Sequence, residues 1–202
     1  MENKPIGYPD FSGLVFDHTQ HPSIEVPEGD VWFFGYGSLM WRPEFDYLDS
    51  VSARLYGYHR ALCLWSIEYR GDVTQPGLVL GLDRGGSCLG RAFKICATQI
   101  DEILPQLNRR EMITGAYQSI IKPIYLASGE KVQAVSLVAR HGHTQYVTPP
   151  LTDAQTAEVL QKAKGKMGPN IDYVLNTVSH LRELGIKDVT LERVANQLAP
   201  NG

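Results

Sequence analysis

The chain has 202 residues, 43% hydrophobic and 20% charged, with a formal net charge of -3 at pH 7. That is long enough to bury a core and too apolar for a disordered polymer. Mild acidity without a stripe of Lys and Arg excludes the usual nucleic-acid binder, and no apolar run approaches the roughly 18 residues that cross a bilayer.

The first thirty residues mix Pro, Gly, Asp and His without a sustained period and predict an extended arm over residues 1–30. Val31-Trp32-Phe33-Phe34 then predicts a buried strand that empties into Gly35-Tyr36-Gly37-Ser38-Leu39. Ala53 to Ile67 predicts one or two strands, and Arg70-Gly71-Asp72 through Pro76-Gly77 a turn-rich connection. Leu78–Leu82 and Cys88–Ile95 predict a hairpin reversing at Asp83-Arg84-Gly85-Gly86, whose glycines supply positive φ. After Thr98 the period lengthens: Ile100, Ile103, Leu104 and Leu107 mark a helix that Pro105 is expected to kink or break.

Tyr117–Leu126 and Lys131–Ala139 again predict strands, joined at Ser128-Gly129-Glu130. Helices follow: Thr152–Lys164, capped by Thr152 or Asp153; Ile171–Leu184, ending at Gly185; and a last one capped by Thr190. In the second of these, Asn176, Thr177 and His180 lie beside an apolar stripe and are expected to anchor it through buried hydrogen bonds. Strands and helices do not alternate regularly, so the expected fold is mixed α/β, a small curved β-barrel with the C-terminal helices packed outside it. Residues 31–202 are expected to form one domain.

Two stretches carry chemistry. Glycines on either side of Tyr36 allow consecutive amides to approach an anion such as a carboxylate or phosphate, with the Ser38 hydroxyl as a further donor. A turn that only redirects the chain needs the same residues. The loop lacks the Lys-Ser/Thr ending of a Walker loop and the full dinucleotide-binding spacing. Asn108-Arg109-Arg110-Glu111 places charge between apolar elements; partial burial would raise the pKa of Glu111 and suit it to proton transfer, with Arg109 or Arg110 orienting it. A solvated turn is the plainer reading.

Arg42 is read as an anion ligand or a rim ion pair, and Glu68 as a less persuasive acid than Glu111, with access to a cavity as its minority reading. No Gly-x-Ser-x-Gly elbow occurs around a serine, and His141-Gly142-His143 is too small a set for a metal site. Three cysteines without metal-ligand spacing, Cys63, Cys88 and Cys96, and no signal-peptide apolar stretch point to a reduced, cytoplasmic protein.

Four separated matches, in order, resemble the ChaC-type γ-glutamylcyclotransferase family. They are Phe34-Gly35-Tyr36-Gly37-Ser38-Leu39 with Trp41-Arg42-Pro43; Tyr69-Arg70-Gly71 with Pro76-Gly77; Asn108-Arg109-Arg110-Glu111 with Gly115-Ala116-Tyr117; and Gly168-Pro169-Asn170 with Asp172-Tyr173, Asn176-Thr177, His180-Leu181 and Leu184-Gly185-Ile186. Ala116 stands where the family more often has a second glycine, and Leu89 precedes Gly90 where eukaryotic relatives tend to have an aromatic residue.

The resemblance implies the γ-glutamylcyclotransferase-like fold and cleavage of glutathione to 5-oxoproline and cysteinylglycine. It implies Glu111 as the catalytic residue and Gly35, Tyr36, Gly37, Ser38 and Leu39 as the substrate loop, with Tyr117 donating a hydrogen bond to the substrate. No cofactor, metal, nucleic acid or membrane partner is implied, and a monomer is expected, with a dimer as the alternative. Candidates for reading the glycine end of glutathione are Glu68–Arg70 and the stretch from His141 to Tyr146. A binding protein without turnover is the alternative of another class, and retention of Glu111 favours the enzyme.

Overall fold

The structure is a computed structural model and describes residues 6–198. It divides into two compact units, one of residues 15–61 and 80–141, the other of residues up to 14, 62–79 and 142 onward.

In the first unit five strands close a barrel: β1 (Val31–Gly35), β2 (Asp49–Ser66), β3 (Gly77–Ile95), β4 (Tyr117–Leu126) and β5 (Lys131–Ala139), in the spatial order β1-β3-β2-β4-β5. The ends of β2 and β3, residues 62–66 and 77–79, belong to the second unit. β1 runs antiparallel to β3 and parallel to β5, with Phe33 opposite Phe93 and Val135. β4 pairs antiparallel with both β2 and β5.

The expected hairpin does not form, because β3 is one continuous strand of 19 residues. Gly85 and Gly86 do take positive φ, +94° and +67°, but as a bend within a strand. Only the pairing within the closed barrel reveals the difference, since a strand built into the sheet keeps running while a glycine lets it curve towards closure.

α1 (Ile100–Glu111) lies between β3 and β4 in sequence, preceded by a short 3-10 turn, Ala97–Gln99. It runs unbroken through Pro105 and extends to Glu111, correcting the expected break and the placement of Asn108–Glu111 beyond the helix. Pro105 withholds one amide from a helical carbonyl, at a cost of roughly 3 kcal/mol. Ile100, Ile103 and Leu107 are buried against Val31 and Phe33 of β1 and Val135 and Leu137 of β5. Each such side chain contributes about 1.5–3 kcal/mol, so packing outweighs the missing bond.

The second unit holds α2 (Asp153–Lys162), α3 (Asn170–Glu183), α4 (Val189–Leu198) and a two-residue ribbon, β6 (Lys164–Gly165) with β7 (Gly168–Pro169). Its core includes Trp65, Leu78, Leu160, Val174 and Val194. Thr152 caps α2 in a reciprocal capping box with Gln155. At α4 the cap is Asp188, whose carboxylate accepts from the amide of Leu191 at 3.1 Å, and Thr190 lies inside the helix.

The apolar stripe of α3 is narrower than expected: Val174, Val178 and Leu181 are buried, whereas Leu175 and Leu184 are exposed. Two of the expected buried ties need correction: Asn176 is exposed, and Thr177 donates to the Tyr173 carbonyl of its own helix. His180 pairs with Glu183 one turn on at 3.1 Å. Asn170, fully buried, anchors α3 instead. Its Oδ1 accepts from the Leu78 amide at 2.6 Å and its Nδ2 donates to the Leu78 carbonyl at 2.8 Å.

Candidate active site

β1 delivers the chain into the glycine loop, and one turn of 3-10 helix, Ser38–Met40, closes it. The amides of Met40 and Arg42 are taken up by the carbonyls of Gly37 and Ser38 at 2.9 and 2.8 Å. Among the described residues none accepts from the N–H of Gly37, Ser38 or Leu39. Three successive donors therefore stand together at the mouth of a turn, the arrangement that suits an anion or a developing oxyanion.

The loop is held from below by Arg60, a buried strand residue that the sequence reading passed over. Its guanidinium donates to the Tyr36 carbonyl at 2.5 Å and to the Leu89 carbonyl at 2.8 Å. The available signal was one Arg inside a strand-forming run, whose inward alternation only the closed barrel establishes. The Tyr36 side chain is itself buried. Gly90 lies against the loop so closely that a Cβ there would meet the Gly35 carbonyl oxygen at 2.3 Å.

Glu111 is the last residue of α1, and 19% of its side-chain surface reaches solvent. Packing of protein around the carboxyl raises its pKa above the ordinary carboxylate range. The neighbouring Arg110 opposes that rise and Glu44 adds to it. Glu111 Oε1 lies 3.1 Å from Arg110 Nε.

The same guanidinium donates to Ser38 Oγ at 3.1 Å, to the Arg42 carbonyl at 3.0 Å and to Glu44 Oε2 at 3.0 Å. Arg110 thus joins the glycine loop, 72 residues away in sequence, to Glu111. Of the two arginines considered, Arg110 orients Glu111, while Arg109 faces solvent. Because Ser38 Oγ accepts from Arg110, its own proton stays available to a ligand.

Tyr117 opens β4, and its hydroxyl donates to the Leu80 carbonyl at 2.7 Å. A Cβ on Gly37 would stand 3.7 Å from Leu80 Cδ1, so Leu80 connects Tyr117 with the loop. With that proton on Leu80, the oxygen offers its lone pairs.

The arm contributes as well. Ile24, buried in the α1 core, donates its amide to Asn108 Oδ1 at 2.8 Å, and Glu25 donates its amide to Ser119 Oγ at 3.1 Å. Gly115 takes φ +68°, and a Cβ there would lie 2.6 Å from His21 Nδ1. These contacts pin the end of α1 and the start of β4, the two segments carrying Glu111 and Tyr117.

Other candidates have structural occupations. Arg42 forms an exposed pair with Glu44 at 2.6 Å. In the second unit Glu68 pairs with Lys166 at 2.7 Å. Arg70 donates to the Met167 carbonyl at 2.6 Å and lies over the Tyr173 ring. A Cβ on Gly71 or Gly165 would meet backbone at 2.1 or 2.5 Å, so these glycines serve close backbone packing. His141 pairs with Asp83 at 2.7 Å. Among the described residues no group of three or more His, Cys, Asp or Glu could hold a metal ion. None of the described helices is long and apolar enough to cross a membrane.

A ChaC-like protein family model matches residues 31–199. The chain is 37% identical over 162 residues to the glutathione-specific γ-glutamylcyclotransferase of Escherichia coli, covering 80% of this chain and 69% of that protein. It is 31% identical over 173 residues to the human glutathione-specific γ-glutamylcyclotransferase 1, covering 81% and 78%. The crystal structure of a yeast γ-glutamyl cyclotransferase specific to glutathione superposes with a TM-score of 0.76 at 19% identity, covering 87% of this chain and 99% of that one; this likeness is one of fold.

Proposed function

The chain belongs to the ChaC-like protein family, and from that premise we propose that it cleaves glutathione into 5-oxoproline and L-cysteinylglycine, with Glu111 moving the proton. The two relatives compared above carry glutathione specificity in their names. One observation supports the site: Arg110 bonds both Ser38 Oγ and Glu111, so a group gripped by the glycine loop lies within reach of the acid–base carboxylate.

In this reaction the α-amine of the substrate attacks its own γ-amide carbonyl. A carbon–nitrogen bond forms, the five-membered ring closes, and the original amide bond breaks to release cysteinylglycine as an amine. The nucleophile is already part of the substrate, so neither water nor a cofactor enters the balance. The protein's largest contribution is to fold a flexible glutamyl group into the attacking pose.

Glu111 accepts a proton from the attacking amine and returns it to the leaving nitrogen. Its raised pKa suits both halves, since it binds the proton firmly enough to hold it and loosely enough to give it back. The amides of Gly37, Ser38 and Leu39 hold the α-carboxylate or the carbonyl oxygen that gains charge during attack. Tyr117, its proton on Leu80, receives a hydrogen bond from the substrate amine. The enzyme acts as a monomer in the cytoplasm, with residues 31–202 as its catalytic domain and residues 15–30 bracing it.

The test is to incubate purified protein with glutathione and quantify both products. Equimolar 5-oxoproline and cysteinylglycine are expected, with no cleavage of an α-linked glutamyl peptide, because attack of its amine on the scissile carbonyl would close a three-membered ring. Binding of glutathione without either product would reject the enzyme in favour of a binding protein.

A further inference from the structure

Glu44 has no part in the reaction as drawn, yet its conformation is unusual. Among the described residues it is the one non-glycine with positive φ, at +60°, a region that costs an L-residue free energy unless its surroundings hold it there. What holds it is charge. Oε1 receives Arg42 Nη2 at 2.6 Å, and Oε2 receives Arg110 Nη1 at 3.0 Å. The Arg42 and Pro43 carbonyls accept from that same Arg110 nitrogen at 3.0 and 3.4 Å. The turn carrying Glu44 is thereby wrapped around the guanidinium that also contacts Ser38 and Glu111.

We infer that Glu44 is a positioning residue, which holds Arg110 between the glycine loop and Glu111 and shares its positive charge so that Glu111 does not monopolise it. This rests on Glu111 being the acid–base residue.

The charges around the site agree. Arg110 and Glu44 are the charged groups acting on Glu111, the first lowering its pKa and the second raising it, while burial raises it most. Arg42 neutralises Glu44 from its exposed side. His21 and Arg140 lie at Gly115, and the Tyr117 hydroxyl is bound to Leu80. Without the Glu44 carboxylate, Arg110 is left with Glu111 as its anionic partner. The pKa of Glu111 then falls, and it becomes a weaker base.

The test is the pH profile of kcat for Glu44→Gln, Glu44→Asp and Glu44→Gly, with melting temperatures measured alongside. Glu44→Gln is expected to move the acid limb to lower pH and to reduce plateau turnover by about 5-fold, a modest share of a general acid–base contribution. Glu44→Asp should restore the limb towards that of the native enzyme. Glu44→Gly should shift the limb as Gln does while melting higher, because glycine is at ease at φ +60°; this variant answers the question even if Gln folds poorly.

A merely structural Glu44 would lower the melting temperature and leave the acid limb in place, and that result overturns the inference. Glu111→Gln separates the two readings. If it turns over like the native enzyme, the assignment of Glu111 fails and this inference with it. If it is inactive while the Glu44 variants keep the native limb, this inference alone fails.

Discussion

Replacing Glu111 with Gln is expected to slow the enzyme and, at neutral pH, to stabilise it. Gln keeps the length of the side chain and an oxygen that can still accept from Arg110 Nε, now 3.1 Å from Glu111 Oε1. Arg110 also keeps Ser38 Oγ, Glu44 and the Arg42 and Pro43 carbonyls. It is therefore not left unpaired, and the loss from weakening one contact stays within about 1 kcal/mol. Gln cannot take up and return a proton, so turnover should fall about 100-fold or more, equivalent to roughly 2.7 kcal/mol of barrier.

The stability effect has the opposite sign. Burial raises the pKa of Glu111 in the folded chain despite Arg110, so the folded state binds this proton more tightly than the unfolded state does. Stability consequently falls as pH rises from the ordinary glutamate range through the raised value, and the penalty persists above it. A neutral amide escapes that penalty. The melting temperature of Glu111→Gln should exceed that of the native enzyme at neutral pH, and the gap should close where both carboxyl states are protonated. Paired measurements of 5-oxoproline formation and thermal melting across pH test both parts. Undiminished turnover in a folded variant would refute the proton-transfer role, and a lower melting temperature at neutral pH would show that the Arg110 pair outweighs desolvation.

Gly37→Ala should fold normally, because its Cβ would meet nothing closer than Leu80 Cδ1 at 3.7 Å; a drop in glutathione affinity or turnover is then expected, and no change in either would refute close approach of the substrate to the loop. Asn170→Ala strands both the amide and the carbonyl of Leu78 inside the second unit, so chemical denaturation should show a loss of about 2–6 kcal/mol, at 1–3 kcal/mol for each buried group. A loss below 1 kcal/mol would mean that water replaces the side chain. In His180→Ala the loss of the exposed, local Glu183 pair should by itself cost no more than about 0.5 kcal/mol; a large loss of turnover in the folded variant would bring His180 into the active site.

Features governed by neighbours in sequence were legible from the sequence. The buried strand at Val31-Trp32-Phe33-Phe34, the bounds of Tyr117–Leu126 and Lys131–Ala139, and the Thr152 cap all depend on local sterics and hydrogen bonds, and the structure has them as read. Recognition of the family likewise needed only separated motifs in order. Local evidence fell short where two outcomes share one local conformation. Gly85-Gly86 has the positive φ of a hairpin turn and of a strand bend alike, and the pairing of β3 within the barrel decides between them. Pro105 disfavours a helix by an amount that only the burial of Ile103 and Leu107 could outweigh. The site divides in the same way. Glu111 and the glycine loop stood out by residue type, but the choice of Arg110 over Arg109, its bond to Ser38, the buried Arg60 beneath Tyr36 and the strained Glu44 belong to the tertiary structure. A side chain's chemistry can be read in one dimension, whereas its partners, burial and pKa depend on residues that only folding brings within 3 Å.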